Sequence, residues 1–460
     1  MLSPSQEEAV CHGSGPCLTL AGPGSGKTYV LTRRIQHLIT KGGVPPEQIL
    51  VITFTKAAAL EMKERFIGLM GQEYPVVFGT FHSVFYGMLR REPGFRTYRL
   101  LDHKSKQAIL KETAYVVKMS CAEDDLLHME QEISYIKNTM VALAGYASPY
   151  FPNEKIIKLY EHYEARKEVY HLLDYDDLLV KTRELLYKDP SFLSKWQKRF
   201  SYLLLDEVQD MNALQFEIIR LLALPDNNLF AVGDDDQSIY GFRGARPDLM
   251  FSFENYYPGV KILQLRDNYR CKARILQASL ALISHNEIRF TKEILGQKEG
   301  KGNLEVVSLA DKKAETAYLV QILKQQRTGG KNWEDMAVLY RNHAQIGSVI
   351  EALQDEKIPF YVKDAVPNPY KHFVMLDLIA YLRLGSPLLH RPDLFRIMNR
   401  PDRFLQRASV TREWTTFEAW KHFYQDQPGM QRTIEKLEGD INFMRSLSGP
   451  AAITFICKRL

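Results

Sequence analysis

The sequence predicts an α/β fold in which short parallel strands, buried on both faces, alternate with helices. One observation is the order of a short apolar run, a glycine-rich loop and a helical apolar pattern across residues 17–38. A second observation is a series of continuous apolar runs at residues 49–54, 76–79, 202–205 and 228–233. Such runs are typical of strands in a parallel sheet whose two faces are both covered by helices.

Length and composition limit the class of protein. With 460 residues, of which 25% are charged and 45% hydrophobic, the chain is ordinary for a globular protein and too long for one core, so we expect three or four domains or subdomains. The net charge of +5 permits a polyanionic partner without requiring one. The five cysteines form no C-x-x-C pair, which fits a reduced, cytoplasmic setting. We expect no membrane partner, because there is neither an apolar signal region nor a run that spans a bilayer.

The loop at residues 21–28 has the phosphate-loop pattern, with alanine in the first position. Its glycines allow a tight turn that aims backbone N–H groups at an anion, and the following helix adds partial positive charge. Lys27 would reach the terminal phosphates of a nucleotide, and the hydroxyl of Thr28 would hold Mg²⁺. The simpler alternative is a glycine-rich turn before a helix. The candidate nucleotide-binding residues of this loop are Ala21, Gly22, Pro23, Gly24, Ser25, Gly26, Lys27 and Thr28.

Two later strands are expected to end in polar residues. The run at 202–205 is followed by Asp206, which would hold Mg²⁺, and by Glu207, which would deprotonate the attacking water. This acidic pair is a weak signal alone and a strong one together with an upstream phosphate loop. The run at 228–233 leads to Gln237, which would bridge the γ-phosphate and a neighbouring domain.

Aromatic and polar residues near other strand ends have two interpretations each. Phe54 is either a core residue or a stacking platform for a base. Thr80 and His82 suit phosphate contacts at a helix start, although an N-cap with a structural histidine is the simpler interpretation. A later loop combines aromatic residues with a cation, as single-strand binding proteins do, unless it is only a packed corner. The residues of that loop are Tyr240, Phe242 and Arg243.

Helical periodicity replaces the strands from about residue 84 to residue 196, which indicates a helical insertion. Within it the stretch D-Y-D-D-L-L at residues 174–179 is an acidic patch that by itself would be a solvated turn. A second α/β unit is expected after residue 265. Its expected elements are strands at 303–309 and 336–340 and helices at 312–325 and 346–356.

In their order along the chain these motifs resemble those of a UvrD/Rep-type superfamily 1 DNA helicase. The matching segments are Gln6, A-G-P-G-S-G-K-T, I-T-F-T-K-A-A-A-L-E-M, G-T-F-H-S, D-Y-D-D-L, L-L-D-E-V-Q-D, V-G-D-D-D-Q-S-I-Y-G-F-R-G-A and L-R-D-N-Y-R. The resemblance implies RecA-like P-loop domains with parallel sheets and helical insertions, and ATP bound between two such domains. It also implies movement from 3′ to 5′ along single-stranded DNA and unwinding of duplex at the junction.

The resemblance assigns roles to single residues. Gln6 matches the glutamine that contacts adenine, and Tyr269 matches the aromatic residue that stacks on that base. Arg270 joins Gln237 as a sensor of the γ-phosphate. The expected catalytic residues are therefore Lys27, Glu207, Gln237 and Arg270, with Thr28 and Asp206 at the metal. The expected DNA contacts are Phe54, Thr80, His82, Tyr240, Phe242 and Arg243.

The same resemblance implies a domain organisation. The first RecA-like domain is expected at residues 1–90 and 165–265, with a helical insertion at residues 91–164. Part of a second RecA-like domain is expected at residues 266–384, and the start of a second insertion at residues 385–460.

Departures from the family pattern leave three functions open. Phe242 replaces the usual tryptophan, and the sequence has no T-x-H-x-x-K-G-L-E-F-like segment and no T-R-A-rich segment. We therefore expect an unfinished second domain that lacks the arginine completing the ATP site. The chain is then the N-terminal portion of a helicase, or a truncated ATP- and DNA-binding module without productive unwinding. The third possibility is the motor portion of a recombination nuclease, for which no carboxylate–lysine cluster is visible in the sequence.

Overall fold

The computed structural model describes residues 2–241, 244–363 and 369–459. The chain forms two compact units, Met1–Glu305 and Val306–Leu460. Phe242 and Arg243, both expected at DNA, lie outside the described residues. No helix among the described residues is both long enough and apolar enough to cross a lipid bilayer. The domain boundaries expected from the resemblance stay a prediction.

The described part of the first unit contains a six-stranded parallel sheet and two separate pairs of short strands. Its strands are β1 (Cys17–Ala21), β2 (Ile49–Thr53), β3 (Val77–Thr80), β4 (Arg99–Leu100), β5 (Leu172–Leu173), β6 (Tyr202–Leu205), β7 (Leu229–Gly233), β8 (Lys261–Leu265), β9 (Asp267–Lys272) and β10 (Leu295–Lys298). The order across the sheet is β3-β2-β6-β7-β1-β8, and each neighbouring pair is parallel. The carboxyl ends of β1, β2, β6 and β7 therefore meet at one edge, which is where ligands bind in open α/β sheets.

Helices cover both faces of this sheet. The helices of the first unit are α1 (Pro4–Val10), α2 (Lys27–Thr40), α3 (Lys56–Met70), α4 (Phe81–Leu89), α5 (His103–Val116), α6 (Glu123–Thr139), α7 (Asn153–Val169), α8 (Tyr175–Lys188), α9 (Pro190–Arg199), α10 (Ala213–Ala223), α11 (Asp248–Phe251), α12 (Phe253–Tyr256) and α13 (Ala273–Ile283). All five residues of β1, β2 and β7 are buried, and alternate side chains enter two different apolar clusters. This burial on both faces is the physical reason for the continuous apolar runs, and it confirms the predicted α/β fold.

Between β3 and β6 the chain forms the predicted run of helices with an apolar cluster of its own. Leu110 of α5, Met129 and Ile133 of α6, and Tyr163 of α7 are among its fully buried members. The prediction of a solvated acidic turn at residues 174–179 is wrong. Asp174 is 1% exposed, because it caps α8 and faces buried lysines from the neighbouring helices.

The second unit is largely helical. Its elements are α14 (Lys312–Thr328), α15 (His343–Asp355), β11 (Leu389–His390), α16 (Phe373–Arg383), α17 (Arg391–Ile397), β12 (Trp414–Thr415), α18 (Phe417–Phe423), α19 (Pro428–Arg445) and α20 (Gly449–Arg459). A cluster that includes Trp420, Tyr424, Ile434 and Leu437 forms the core of the helices from α16 onward.

The two helices expected at residues 312–325 and 346–356 are present as α14 and α15, but the strands expected at 303–309 and 336–340 are wrong. Neither segment has strand structure, and Val306 and Leu339 are 96% and 94% exposed. A β-prone run becomes a strand only where a neighbouring strand accepts and donates its backbone hydrogen bonds. Within the described part of the second unit the strand pairing is that of β11 with β12.

Candidate nucleotide and DNA site

The phosphate loop connects β1 to α2 in a tight turn that contains two glycines with positive φ. Gly24 and Gly26 have φ values of +71° and +85°, a region that favours glycine, and Gly26 is the N-cap of α2. Ser25 Oγ donates to the carbonyl of Gly22 at 2.7 Å, which closes the turn. The loop therefore points the N-terminus of a fourteen-residue helix into the sheet edge, an arrangement suited to phosphate.

Gln6 lies against this loop from α1. Its side-chain amide donates to the carbonyl of Ser25 at 2.9 Å, and its amide oxygen accepts from the backbone N–H of Ser3 at 3.1 Å. Gln6 is 3% exposed, so its amide holds the loop to the first helix of the chain. The contact with adenine expected for Gln6 stays a prediction.

Lys27 and Glu207 form an ion pair across the sheet edge. Lys27 Nζ lies 2.6 Å from Glu207 Oε2, and Gln209 Nε2 donates to the same oxygen at 2.8 Å. Glu207 has a φ of +52°, a left-handed conformation that is uncommon for a residue with a side chain and is typical of functional sites. The structure thus brings together the expected phosphate-binding cation and the expected base.

Asp206 is the buried carboxylate at the end of β6. It is 7% exposed, and burial raises the pKa of its carboxyl to about 6, with the charge of Glu207 adding to the shift and Lys27 opposing it. Its described hydrogen bond is with the backbone N–H of Glu207, at 3.1 Å. A carboxylate together with the hydroxyl of Thr28, in the first turn of α2, is a donor set that suits Mg²⁺.

A chain of hydrogen bonds joins Glu207 to the end of β7. Gln209 Oε1 accepts from the backbone N–H of Asp234 at 3.0 Å, while Asp234 Oδ2 accepts from Gln237 Nε2 at 2.6 Å. Lys292 Nζ forms ion pairs with Asp234 and with Asp235, the latter at 2.7 Å. The sequence analysis did not select Gln209, Asp234 or Lys292. Gln209 and Asp234 nevertheless lie within two of its motifs, D-E-V-Q-D and G-D-D-D-Q.

The segment after β8 lies directly on the phosphate loop. Asn268, fully buried, donates to the carbonyl of Pro23 at 2.5 Å, and the N–H of Tyr269 donates to the carbonyl of Gly24 at 3.0 Å. Asn268 Oδ1 also accepts from the N–H of Arg270 at 3.0 Å. A Cβ on Gly24 would lie 2.6 Å from Cβ of Arg270, so glycine is required for this approach. Asn268 therefore places Tyr269 and Arg270 beside the loop, and it is a further residue that sequence reasoning missed.

A cavity of about 730 Å³ opens beside this edge, between the sheet and the helical insertion. Phe54 is one of its lining residues, and the ring of Phe54 stacks on that of Tyr240 with centroids 4.9 Å apart. Thr80 caps α4, as the simpler interpretation expected, and both Thr80 and His82 also line the cavity. Burial lowers the pKa of His82, which favours the neutral imidazole. Of the residues expected at DNA, the structure thus gathers Phe54, Thr80, His82 and Tyr240 in one place.

The insertion supplies the opposite wall of the cavity. Its lining side chains from α5 and α6 mix charges with apolar and aromatic surface, and they are His103, Lys106, Leu127, Glu130, Gln131, Ser134, Tyr135 and Asn138. Asn138 donates to Asp176 Oδ1 at 2.7 Å and accepts from Asn212 Nδ2 at 2.9 Å. These buried amide contacts tie the insertion to the end of the sheet.

Comparison with known families agrees with this arrangement. Residues 2–258 match the UvrD/REP helicase N-terminal domain, and residues 263–416 match the UvrD-like helicase C-terminal domain. The chain is 32% identical over 480 residues to a putative ATP-dependent DNA helicase, YjcD, of Bacillus subtilis, covering 99% of this chain and 62% of that protein. It is 33% identical over 431 residues to the ATP-dependent DNA helicase Rep of Escherichia coli, covering 90% of this chain and 63% of Rep.

A third relative extends the comparison. The ATP-dependent DNA helicase PcrA of Staphylococcus epidermidis is 34% identical over 417 residues, with 89% of this chain and 57% of PcrA covered. The chain therefore spans about three fifths of the length of these curated relatives. With a family domain matched over more than half of its residues, the chain belongs to the UvrD/Rep family of helicases.

Proposed function

We propose that this chain is the motor portion of an ATP-dependent DNA helicase that uses Mg²⁺–ATP, moves from 3′ to 5′ on single-stranded DNA and opens duplex at the junction. The observation that carries the proposal is the Lys27–Glu207 ion pair at the N-terminus of α2, beside a cavity lined by Phe54. A cytoplasmic location accompanies this proposal, because the partner is DNA and the cysteines are free.

The nucleotide enters a site whose charged groups are already paired with each other. A bound triphosphate would offer Lys27 a negatively charged partner in place of Glu207. We therefore expect the side chain of Lys27 to turn to the terminal phosphates. Glu207, released from its cation and still held by Gln209, is then available to take a proton from water. Asp206 and Thr28 would hold Mg²⁺, which neutralises charge on the phosphate oxygens when it is bound. Gln237 and Arg270 complete the γ-phosphate contacts.

The DNA strand is proposed to follow the cavity. A base has a flat π surface, and the ring of Phe54, which lines the cavity and stacks on that of Tyr240, is aromatic surface of the same kind. Thr80 and His82, at the start of α4, suit contacts with the phosphate backbone, because helix N-termini attract anions. We extend this DNA role to Phe242 and Arg243 on the resemblance alone.

The nucleotide site is tested by titration of Mg²⁺–ATP into three variants and the parent. Lys27→Ala should weaken binding or abolish turnover, and Glu207→Gln should bind ATP and lose most hydrolysis. Lys41→Ala, at the exposed C-terminal end of the same helix, is the matched control and should behave like the parent. Unchanged affinity and unchanged hydrolysis in Lys27→Ala would refute the phosphate-loop assignment.

The second candidate function is a module that binds ATP and DNA without productive unwinding, which the phosphate loop and the cavity beside it support equally well. A strand-displacement assay separates the two functions. ATP-dependent opening of a duplex with a 3′ tail, and not of one with a 5′ tail, supports the helicase and its direction. Binding of both ligands with no displacement of either duplex supports the module.

A further inference from the structure

One turn of backbone joins the proposed ATP site to the cavity. The 3-10 turn Val208–Asp210 begins at Glu207, and the N–H of Asp210 donates to the carbonyl of Glu207 at 3.0 Å. The side chain of Glu207 points to Lys27, whereas the side chain of Asp210 lines the cavity. The two ends of the same turn thus face the two proposed ligand sites.

The carboxyl group of Asp210 is buried and incompletely satisfied. Asp210 is 8% exposed, and its Oδ1 atom is buried without a hydrogen-bond partner among the described residues. Burial raises the pKa of Asp210 to about 6, and the charge of Glu207 adds to this shift. The nearby amide nitrogen of Asn212 donates to Asn138 and not to Asp210 Oδ1. A buried acceptor without a donor is costly, so a ligand with an N–H group would gain from reaching it.

The chemistry of the cavity selects the kind of group that can approach Asp210. A phosphate is repelled by a carboxylate, whereas every natural nucleobase carries an amino or imino N–H. Phe54, Leu127 and Tyr135 supply apolar and aromatic surface around the same space. A base turned into the cavity would therefore find both a surface to pack on and an acceptor for its N–H.

The turn has little room to absorb a displacement of Asp210. Val208 and Gln209 are 3% and 1% exposed. A Cβ on Gly233 would lie 2.6 Å from Val208 Cγ1 and 2.8 Å from Gln209 Oε1, so the turn rests directly on the backbone at the end of β7. Gln209 also donates a hydrogen bond to Glu207, the proposed general base. A shift of Asp210 would therefore move Glu207 as well.

We propose that Asp210 accepts a hydrogen bond from the N–H of a nucleobase in the cavity and, through the turn, positions Glu207. Base occupancy and nucleotide binding are then coupled, and Asp210 is a positioning residue for hydrolysis. This inference rests on the proposed function, since it needs a chain that binds both ATP and DNA.

The test measures the coupling itself. The dissociation constant of Mg²⁺–ATP is determined without DNA and with a saturating oligothymidine strand, and the ratio of the two constants is the coupling factor. We expect a factor of at least about fivefold for the parent chain. Asp210→Leu, which removes the acceptor, should bring the factor close to one. Asp210→Asn keeps an acceptor oxygen and should restore much of the coupling, which a purely structural role would not explain.

Two controls complete the experiment. Asp226→Leu, on an exposed turn, should keep the parental factor. An abasic strand of equal length has the phosphates without the N–H groups, and with it the parent should show a factor near one. Coupling that persists in Asp210→Leu or with the abasic strand, in a chain that binds both ligands, overturns the inference alone. A parent chain that binds neither ligand refutes the proposed function and the inference with it.

Discussion

Two buried ionic clusters in the first unit have the same numbers of cations and carboxylates but different neighbours. The helical cluster consists of Lys137, Glu164, Lys167, Asp174 and Asp177. The strand-end cluster consists of Asp234, Asp235, Asp236, Arg289 and Lys292. Each joins two cations to three carboxylates. The helical cluster joins helices to one another, whereas the strand-end cluster contacts residues of the candidate site.

The helical cluster connects α6, α7 and α8. Lys137 Nζ lies 2.9 Å from Asp174 and 2.6 Å from Asp177, and Tyr163 donates its hydroxyl to Asp174 at 3.1 Å. Burial by itself would raise the pKa of Asp174, but Lys137 and Lys167 hold it well below its usual range. The ionised carboxylate of Asp174, at the start of α8, thus holds α8 to α6 and α7.

The strand-end cluster uses the same chemistry next to the proposed ATP site. Lys292 contacts Asp235 and Asp236 at 2.7 Å, and Arg289 binds Asp236 through two nitrogens. Asp234, held in this way, accepts a hydrogen bond from Gln237 and donates its backbone N–H to Gln209, which contacts Glu207. The two clusters have the same number of ion-pair partners, and the hydrogen bonds that leave the strand-end cluster are what connect it to the candidate site.

The largest effect is expected on stability, from Lys137→Met in the helical cluster. Loss of one cation leaves Asp174 and Asp177 buried with a single lysine, and breaking a buried pair costs about 3–5 kcal/mol. The free energy of unfolding from urea titration measures this loss. We expect the affinity of the folded variant for Mg²⁺–ATP to equal that of the parent, and a large change in that affinity would break the comparison.

A loss of nucleotide affinity is expected from Lys292→Met in the strand-end cluster. Among the described residues, Arg289 would then be the remaining cation of this cluster, and the excess negative charge of the three carboxylates repels the triphosphate beside Gln237. We expect Mg²⁺–ATP to bind about tenfold more weakly, a change of about 1.4 kcal/mol, measured by titration under conditions where circular dichroism shows the variant folded. Parental affinity in a folded Lys292→Met variant would make both clusters structural.

A smaller loss is expected from Arg289→Met. Lys292 still contacts all three carboxylates in this variant, so the field at the ATP site changes less. Mg²⁺–ATP should bind about threefold more weakly, between the parent and Lys292→Met in the same titration. An effect larger than that of Lys292→Met would show that Arg289, rather than Lys292, controls the site.

The smallest effect is expected from Lys261→Met, which serves as the control for all three variants. Lys261 pairs with Glu8 at 2.8 Å on the surface, where both side chains are about half exposed. Water and salt screen such a pair, so we expect the free energy of unfolding to fall by about 0.5 kcal/mol or less. A loss comparable to that of Lys137→Met in urea titration would show that burial is not what distinguishes the clusters.

The predictions from sequence succeeded where a short stretch of chain contains its own physical cause. The run at residues 17–38 specifies a buried strand, a glycine turn and an amphipathic helix, and all three are present. The prediction of strands at residues 303–309 and 336–340 was wrong, because a strand needs a neighbouring strand to pair with and a local sequence pattern does not show whether one is present. The prediction of a solvated turn at residues 174–179 was wrong for a related reason, since one of the lysines that neutralise it, Lys137, is distant in the sequence.

The candidate site divides in the same way. Lys27, Asp206 and Glu207 were predicted because loop and strand-end patterns carry them, and parallel strands bring their carboxyl ends to one edge. Their catalytic and metal-binding roles stay predictions. Gln209, Lys292 and Asn268 were missed because each has at least one hydrogen bond or ion pair with a residue that is remote in the sequence. Their roles follow from geometry, and nothing in their own sequence context distinguishes them from ordinary polar residues.

The sequence by itself determined the α/β class, the phosphate loop and the family, because these depend on periodicity and on residue types at close spacing. Only the tertiary structure decided that Lys27 is paired with Glu207, that Asp174 is buried and that Asp210 faces the cavity. The physical reason is that charge and hydrogen-bond partners are chosen by distance in space. Burial removes water as the alternative partner, so the outcome depends on which distant side chain the fold brings within reach.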